Sequence, residues 1–339
     1  MVFASSVGAR LPDRLRAGNN HVVDPGPLSV LWVLLPVYRD VESFLALRQA
    51  LIKTLSGGLR IGRVQIVVVD DSAGLDPEMA RMRDLDDVVV LTPPFNLGHQ
   101  RALVFGLRTL SDRIKDEDVV VTLDADGEDR PEDVPRLLAS LADKGDVKHT
   151  IVLARRVGRR ESLAFKVMYF CFKVLFATLT GLIVKTGNFA AYRGWVARNV
   201  LFHPHFDVCY SSSLLSLNLP VCLVPCDRGP RYAGRSHMSL LHLLMHGIRM
   251  MMPFLDRIAV RSLVCFSGLF FLGLACTLAA VGLSLFGGIA VPGWVSYGIL
   301  LLLTISFLAL GNFVIIFTVF AQSQGVSLAS LDRTRDSRT

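Results

Sequence analysis

The sequence predicts an α/β domain built on a parallel sheet, followed by a C-terminal hairpin of two membrane helices. Three observations carry this expectation. Short apolar runs alternate with segments of helical spacing along the first half of the chain, the pattern of a parallel sheet covered on both faces. From Ser262 to Leu331 there is no charged residue, a stretch far longer than the roughly 20 residues that one crossing needs. The 339 residues are 52% hydrophobic and only 19% charged, with a mean hydropathy of +0.47, whereas soluble domains carry about a quarter charged residues. This composition excludes a disordered chain. A disulfide scaffold is excluded as well, since Cys265 and Cys276 lie inside the apolar run and Cys222 and Cys226 lack zinc spacing.

Taken in order, Leu28–Val37 reads as a first strand and Val41–Leu55 as a helix. Gln65–Val69 is a second strand, ending in Asp70-Asp71, and Val88–Leu91 a third, followed by TPPFNLGHQ. Gln100–Leu110 has helical spacing. Val119–Leu123 is a fourth strand, followed by Asp124-Ala125-Asp126, and a helix over Glu132–Leu141 begins after Pro131. In such sheets ligands gather outside the carboxyl ends of the strands. Four clusters fall there: Tyr38 with Asp40, Asp70 with Asp71, Asn96 to Gln100, and Asp124 to Glu128. A single Asp after a strand is ordinarily a cap or turn residue; the repetition at successive strand ends points to a site.

The charge-free stretch divides at Gly287, Gly288, Pro292 and Gly293 into spans of about Arg261–Phe286 and Trp294–Ala321. Arg257 and Arg261 precede the first span, Arg333, Arg335 and Arg338 follow the second, and the connecting loop is uncharged, so the positive-inside rule predicts both termini in the cytoplasm. The first twenty residues have no apolar h-region of a signal peptide. Ser162–Lys185 and Ser239–Ile258 read as interfacial helices, the former with Lys166 and Lys173 two turns apart and able to snorkel. The rival for Ser162–Lys185 is a third span. The expected organisation is a polar tail (1–27), a catalytic domain (28–235, with the interfacial helix at about 162–185), a juxtamembrane amphipathic helix (236–260), two transmembrane helices (261–321) and a cytoplasmic tail (322–339).

The Asp124-Ala125-Asp126 spacing sends both carboxylates to one side of a strand-end loop, where they can share a hard divalent cation, Mg2+ or Mn2+. Glu128 is placed as a third ligand or a contact to a ligating water. Asp129, Glu132 and Asp133 are expected to cap and charge the helix after Pro131. No GxxxxGK[ST] occurs and no GxGxxG follows a strand. Diphosphate recognition would therefore rest on the metal and on arginines, with Arg155, Arg156, Arg228 and Arg231 as candidates.

The segments LLPVYRDVESF, VVVDDSAG, NLGHQRALVFGL, VVTLDADGEDRPED, TGNFAAYR and RYAGRSHMSL occur in the order found in family 2 inverting glycosyltransferases. From about Leu28 to Ala321 the chain most closely resembles their polyprenyl-phosphate branch, which includes dolichol-phosphate and undecaprenyl-phosphate sugar transferases. The resemblance implies a GT-A nucleotide-sugar-binding fold with a mostly parallel sheet, a divalent metal and a homo-oligomer. It places Pro36, Tyr38 and Asp40 at the base and ribose and Asp70 at the nucleotide; Asp71, Asn96 and Gln100, from the strand-end clusters, are expected beside them. Asp124 and Asp126 match the metal–diphosphate motif, with Glu128 where the family often has Gln. Arg155 matches a family arginine near the phosphates, and Arg231 the arginine ahead of a GESK motif. Three departures stand out: Arg39 replaces Asn, DDSA replaces DDGS, and GRSH (Gly234 to His237) replaces GESK. Ser236 and His237 are thereby expected at the acceptor phosphate, His237 mostly neutral at pH 7 where Lys is charged.

The expected reaction moves a sugar from a nucleoside-diphosphate sugar to a polyprenyl phosphate at the cytoplasmic face of the bilayer, with Arg155, Arg231 and Lys173 bringing the two polyanions together. Alternatives are a diacylglycerol or ceramide acceptor, or a catalytically silent nucleotide-binding membrane scaffold. A processive polysaccharide synthase is disfavoured by the missing Gln-x-x-Arg-Trp motif. The net charge of +7 does not indicate a nucleic-acid partner, because the basic residues lie beside apolar segments and not in an aromatic-interleaved polar patch.

Overall fold

The computed structural model describes residues 30–57, 62–157, 163–183, 186–233, 240–286 and 293–323. The expected start of the fold holds: β1 (Leu31–Val37), α1 (Val41–Leu55), β2 (Val64–Asp70), the short α2 (Ala80–Arg83), β3 (Val88–Leu91), α3 (His99–Leu110), β4 (Val119–Thr122) and α4 (Val134–Ala142). Beyond it come β5 (Ile151–Val157), α5 (Leu163–Thr180), β6 (Thr186–Arg193), α6 (Gly194–Asn199), α7 (Tyr210–Ser216) and β7 (Val221–Asp227). The chain then runs into α8 (Leu240–Met251), α9 (Leu255–Phe286) and α10 (Trp294–Ser323).

The strands form one seven-stranded sheet in the order β3-β2-β1-β4-β6-β5-β7. β6 runs antiparallel to β4 and β5, and the other pairings are parallel. All seven residues of β1 are buried because helices cover both faces of the sheet. Leu31, Val33, Leu35 and Val37 pack with α1 and α4, whereas Trp32 and Leu34 pack with α3, α6 and α7, as the two-residue period of a strand requires. α1 turns Phe44, Leu47, Leu51 and Leu55 inward at helical spacing. α3 approaches the sheet so closely that a Cβ on Gly106 would come within 2.6 Å of Leu34 Cδ1.

Register sets the working edge. Val37 pairs with Asp70, Leu34 with Thr122, and Thr122 with Ala190. The ends of β1, β2 and β4 and the beginning of the antiparallel β6 therefore lie at one edge. α5 connects β5 to β6, two adjacent strands of this sheet, so both its ends return to the domain; it is not a third span.

Among the described residues two stretches are long and apolar enough to cross a membrane, Met245–Leu283 and Ser296–Val319, whose 18-residue windows reach mean hydropathies of 2.2 and 2.6. α9 starts at Leu255, six residues before the expected Arg261, after a 3-10 turn over Met252–Phe254. Pro253 explains the break: it has no N–H to continue the α8 hydrogen-bond ladder. α9 and α10 pack closely at small residues, where a Cβ on Gly273 would lie 2.8 Å from Leu302 and one on Gly298 would lie 2.9 Å from Thr277. The hairpin is fastened to the domain by Arg261, which donates to the Thr178 carbonyl at 2.9 Å, and by Arg257, which donates to Asn218 Oδ1 at 3.0 Å.

Candidate active site

The centre of the site is the loop after β4, which turns at Gly127 with a positive φ of 85°. Asp124 is held from four directions. His99 Nε2, at the start of α3, lies 2.8 Å from its Oδ1, and Asn188, in β6, donates to the same oxygen at 3.3 Å. Arg156, in β5, donates to Oδ2 at 3.2 Å. The Asp124 backbone N–H donates to Asp129 Oδ2 at 3.1 Å, and Arg156 also bonds Asp129 Oδ1 at 3.1 Å. Asp129, expected as a helix cap, is instead a buried member of the cluster. The loop closes on itself and carries the side chain inward, away from the helix end.

The second carboxylate, Asp126, accepts from the Glu128 backbone N–H at 3.0 Å and from Arg231 at 2.6 Å. Glu128 pairs with Arg228 and lies 3.8 Å from Arg231 Nε. The strand-end segment 228–232 is thereby laid along the loop, with Tyr232 N–H donating to the Asp126 carbonyl at 2.9 Å and the Tyr232 ring against Gly127.

These contacts split the ionisation of the carboxylates. Burial pushes Asp124 up, but His99, Arg156 and the Asn188 hydrogen bond outweigh it and hold its carboxyl well below the usual range. Burial and the charge of Asp124 push Asp126 up, and the same two causes raise Asp129 to about 7. Desolvation opposes charging of His99, yet Asp124 and its acidic neighbours raise its pKa above the ordinary value.

The donor set fits a hard divalent cation: oxygen ligands on Asp124 and Asp126, with mutual repulsion that a cation would relieve. No cluster of three His, Cys, Asp or Glu ligands is assembled among the described residues. The remaining coordination would fall to water and to substrate oxygens.

The other expected site residues lie around this centre. Pro36 is the penultimate residue of β1, Tyr38 is 50% exposed just beyond the strand, and Asp40 precedes α1 without a side-chain capping bond. Arg39, with a positive φ of 50°, sits over the Tyr38 ring. Asp70 is fully buried and binds the Ser72 and Gly74 N–H groups of its own turn. Asp71 accepts from the N–H groups of Leu97 and Gly98 at 2.7 and 3.2 Å, and Asn96 donates to its carbonyl, which pins the β3–α3 loop beside β2. Gln100 bonds Asn188 and the start of α7. Of the two adjacent arginines it is Arg156, not Arg155, that reaches the carboxylates among the described residues. Lys173 lies on α5 over the ring of Tyr169. Ser236 and His237 fall outside the described residues.

Sequence reasoning missed His99 and Asn188 as members of the centre. Both stood inside quoted segments, NLGHQ and TGNFAAYR. Recognising TGNFAAYR as a strand antiparallel to β4 would have placed Asn188 level with Asp124.

Residues 32–200 match the sequence profile of glycosyl transferase family 2. An undecaprenyl-phosphate 4-deoxy-4-formamido-L-arabinose transferase of Pseudomonas aeruginosa (strain LESB58) is 34% identical over 137 residues, 39% of this chain; the match spans 38% of that relative's length. A protein of the same name from Pectobacterium carotovorum subsp. carotovorum (strain PC1) is 26% identical over 293 residues, 82% of this chain and 83% of its own. Among solved structures, glucosyl-3-phosphoglycerate synthase from Mycobacterium tuberculosis with Mn2+ and UDP-glucose aligns over 68% of this chain and 79% of its own, at 17% identity and a TM-score of 0.45. With the profile lying on β1 to β6 and on the loops that carry Asp124 and Asp126, residues 32–200 form a glycosyl transferase family 2 domain.

Proposed function

We propose that this protein is a membrane-bound inverting glycosyltransferase that moves a sugar from a nucleoside diphosphate to a polyprenyl phosphate. The observation that carries the reading is one arrangement: Asp124 and Asp126 stand beside Arg156, Arg228 and Arg231 at the carboxyl edge of the sheet, in a chain that continues into two apolar helices. The names of the undecaprenyl-phosphate transferases it resembles support the acceptor. The charge-free loop between basic flanks supports a catalytic domain and termini on the cytoplasmic side. A homo-oligomer belongs to the same reading.

In this proposal Asp124 and Asp126 hold Mg2+ or Mn2+, which when bound supplies Lewis-acid neutralisation of the departing diphosphate. The protein's own groups do the rest. Tyr38 and Asp40 present a ring and a carboxylate at the mouth for the nucleoside, on a frame kept in shape by Asp70, Asp71 and Asn96. Arg231 and Arg228, whose guanidinium groups lie on Asp126 and Glu128, are suited in kind to phosphate oxygens. Arg155 and Lys173 are assigned to the acceptor phosphate, with Ser236 and His237. No side-chain base is required, since a phosphate monoester with a second pKa of about 6 is largely dianionic at neutral pH. An acceptor oxygen attacks the anomeric carbon as the bond to the diphosphate breaks, the electron pair leaves with the nucleotide, and the configuration inverts.

The test is transfer of labelled sugar to undecaprenyl phosphate in membranes, over a panel of nucleotide-sugars. Asp126→Ala abolishes transfer while the protein still inserts in the membrane, and EDTA abolishes wild-type transfer until Mg2+ or Mn2+ is restored. Substantial metal-dependent transfer by Asp126→Ala overturns the assignment.

A further inference from the structure

We propose that Gln100 and Asn188 are positioning residues that fix the orientation of Asp124 and tie it to the packing of the membrane-proximal turn on the catalytic domain. The inference rests on the metal-holding role proposed above for Asp124.

The two carboxamides form a polar chain whose direction is fixed at both ends. Ser211 N–H can only donate, and it donates to Gln100 Oε1 at 3.0 Å; the Cys209 thiol donates to the same oxygen at 3.4 Å. This leaves the Gln100 amino group facing Asn188, to whose Oδ1 it donates. The Asn188 amino group must then face Asp124, and it donates to Oδ1 at 3.3 Å. An ionised carboxylate only accepts, so the chain ends with every orientation satisfied. A second route runs beside it: the Asn188 carbonyl accepts from Thr122 Oγ1 at 2.6 Å, and Thr122 bonds the Tyr210 hydroxyl at 2.8 Å. Both routes arrive at residues 209–211, the beginning of α7.

That point is where the membrane-proximal segment docks. Cys209 is fully buried in one apolar cluster with Phe176 of α5, Met250 of α8 and Phe254 of the turn before α9. Phe254 meets Phe176 edge to face, with centroids 5.8 Å apart. A turn that leaves this cluster removes the packing that seats Cys209 and Ser211, and with it the acceptor geometry of Gln100. The carboxylate at the far end then loses its orienting donor. Polar groups that orient a metal ligand typically change metal affinity by roughly 10–100-fold when removed.

The experiment titrates Mn2+ into the full chain in detergent micelles and reads the free-ion signal by electron paramagnetic resonance, with thermal unfolding to confirm that each variant is folded. Gln100→Ala and Asn188→Ala each weaken Mn2+ binding by about tenfold or more, and the double variant is no weaker than the worse single one. Phe254→Ala weakens it as well, Phe254→Leu restores most of the loss, and Phe254→Ala adds nothing in the Gln100→Ala background. Should Gln100→Ala not fold, Gln100→Glu decides: it keeps the acceptor for Ser211 but sets an oxygen against Asn188 Oδ1, and the same loss is expected. Wild-type Mn2+ affinity in folded Gln100 and Asn188 variants, or a Phe254→Ala loss that adds in full to that of Gln100→Ala, overturns the proposal. Asp124→Ala and Asp126→Ala separate the two readings. If they abolish Mn2+ binding while the carboxamide variants do not, only the positioning role fails; if wild type does not bind Mn2+, or these variants bind it normally, the metal reading fails and takes the positioning role with it.

Discussion

Replacing Arg156 by Met keeps the apolar stem of the side chain and removes its charge from between the part-buried Asp124 and the buried Asp129. Arg156 is 19% exposed, and it bonds Asp124 and Asp129 at 3.2 and 3.1 Å. Removing one partner of a buried pair costs about 3–5 kcal/mol, because the partner left behind stays buried and uncompensated. Asp124 retains His99 and Asn188, so most of the loss falls on Asp129 and the lower end, about 3 kcal/mol, is expected near pH 8. The sign with pH follows from Asp129, whose pKa is already raised to about 7 by burial and by Asp124. Losing the guanidinium raises it further. A carboxyl raised on folding is tolerated while protonated and destabilises as pH rises through its folded value. The deficit of Arg156→Met is therefore smaller at pH 5.5 than at pH 8, and adding Asp129→Asn recovers part of it at pH 8. Urea unfolding followed by tryptophan fluorescence measures this, Trp32 being buried in β1. A variant as stable as wild type at pH 8, or a deficit that grows on acidification, refutes the reasoning.

Glu128 pairs with Arg228 and stands where the resemblance to family 2 glycosyltransferases implies Gln; Glu128→Gln is expected to keep transfer within a few-fold, while Glu128→Lys abolishes it in the same radiolabel assay. Gly194 packs against the chain at Lys115, where a Cβ would overlap the backbone carbonyl oxygen; Gly194→Ala should cost about 3 kcal/mol by overpacking, measured by urea unfolding. His203 is held at about 4, mainly by burial and secondly by His205. Its neutral form supports the fold above the unfolded pKa of about 6.5, and that support is lost as pH falls from there through about 4. The urea midpoint of wild type should drop between pH 7.5 and 4.5, and His203→Gln should show a smaller drop.

The first four strands were legible because each is a short apolar run ending in polar residues that a buried strand could not carry. The next three were not. β5 ends its apolar run in Arg155-Arg156 and reads as a basic patch; taken as a strand, the two side chains fall on opposite faces, and one of them is committed to the carboxylates. β7 carries Pro225 and leaves Val221 and Leu223 exposed, which its place at the sheet edge allows and a core strand would not. Asp129 misled for a different reason. Its spacing before Pro131 is that of a cap, and only the reversal at Gly127 shows that the side chain turns inward. Asp124 and Asp126 were legible as a pair, but not the partners that hold them, which come from the distant elements α3, β5 and β6 and from the segment after β7.

The Arg261 tie to the end of α5 has a consequence for membranes of different thickness. Arg261 is the last charged residue before seventy uncharged positions, and its side chain is committed to the domain through Thr178. In the proposed membrane-bound enzyme the near end of the hairpin is thus tied to the domain, whereas α10 packs chiefly on α9. Tilt or local thinning in a thicker or thinner bilayer is then taken up at the far end. Under the proposed function, the height of the carboxylates above the near leaflet would then be set by the protein, not by the thickness of the bilayer.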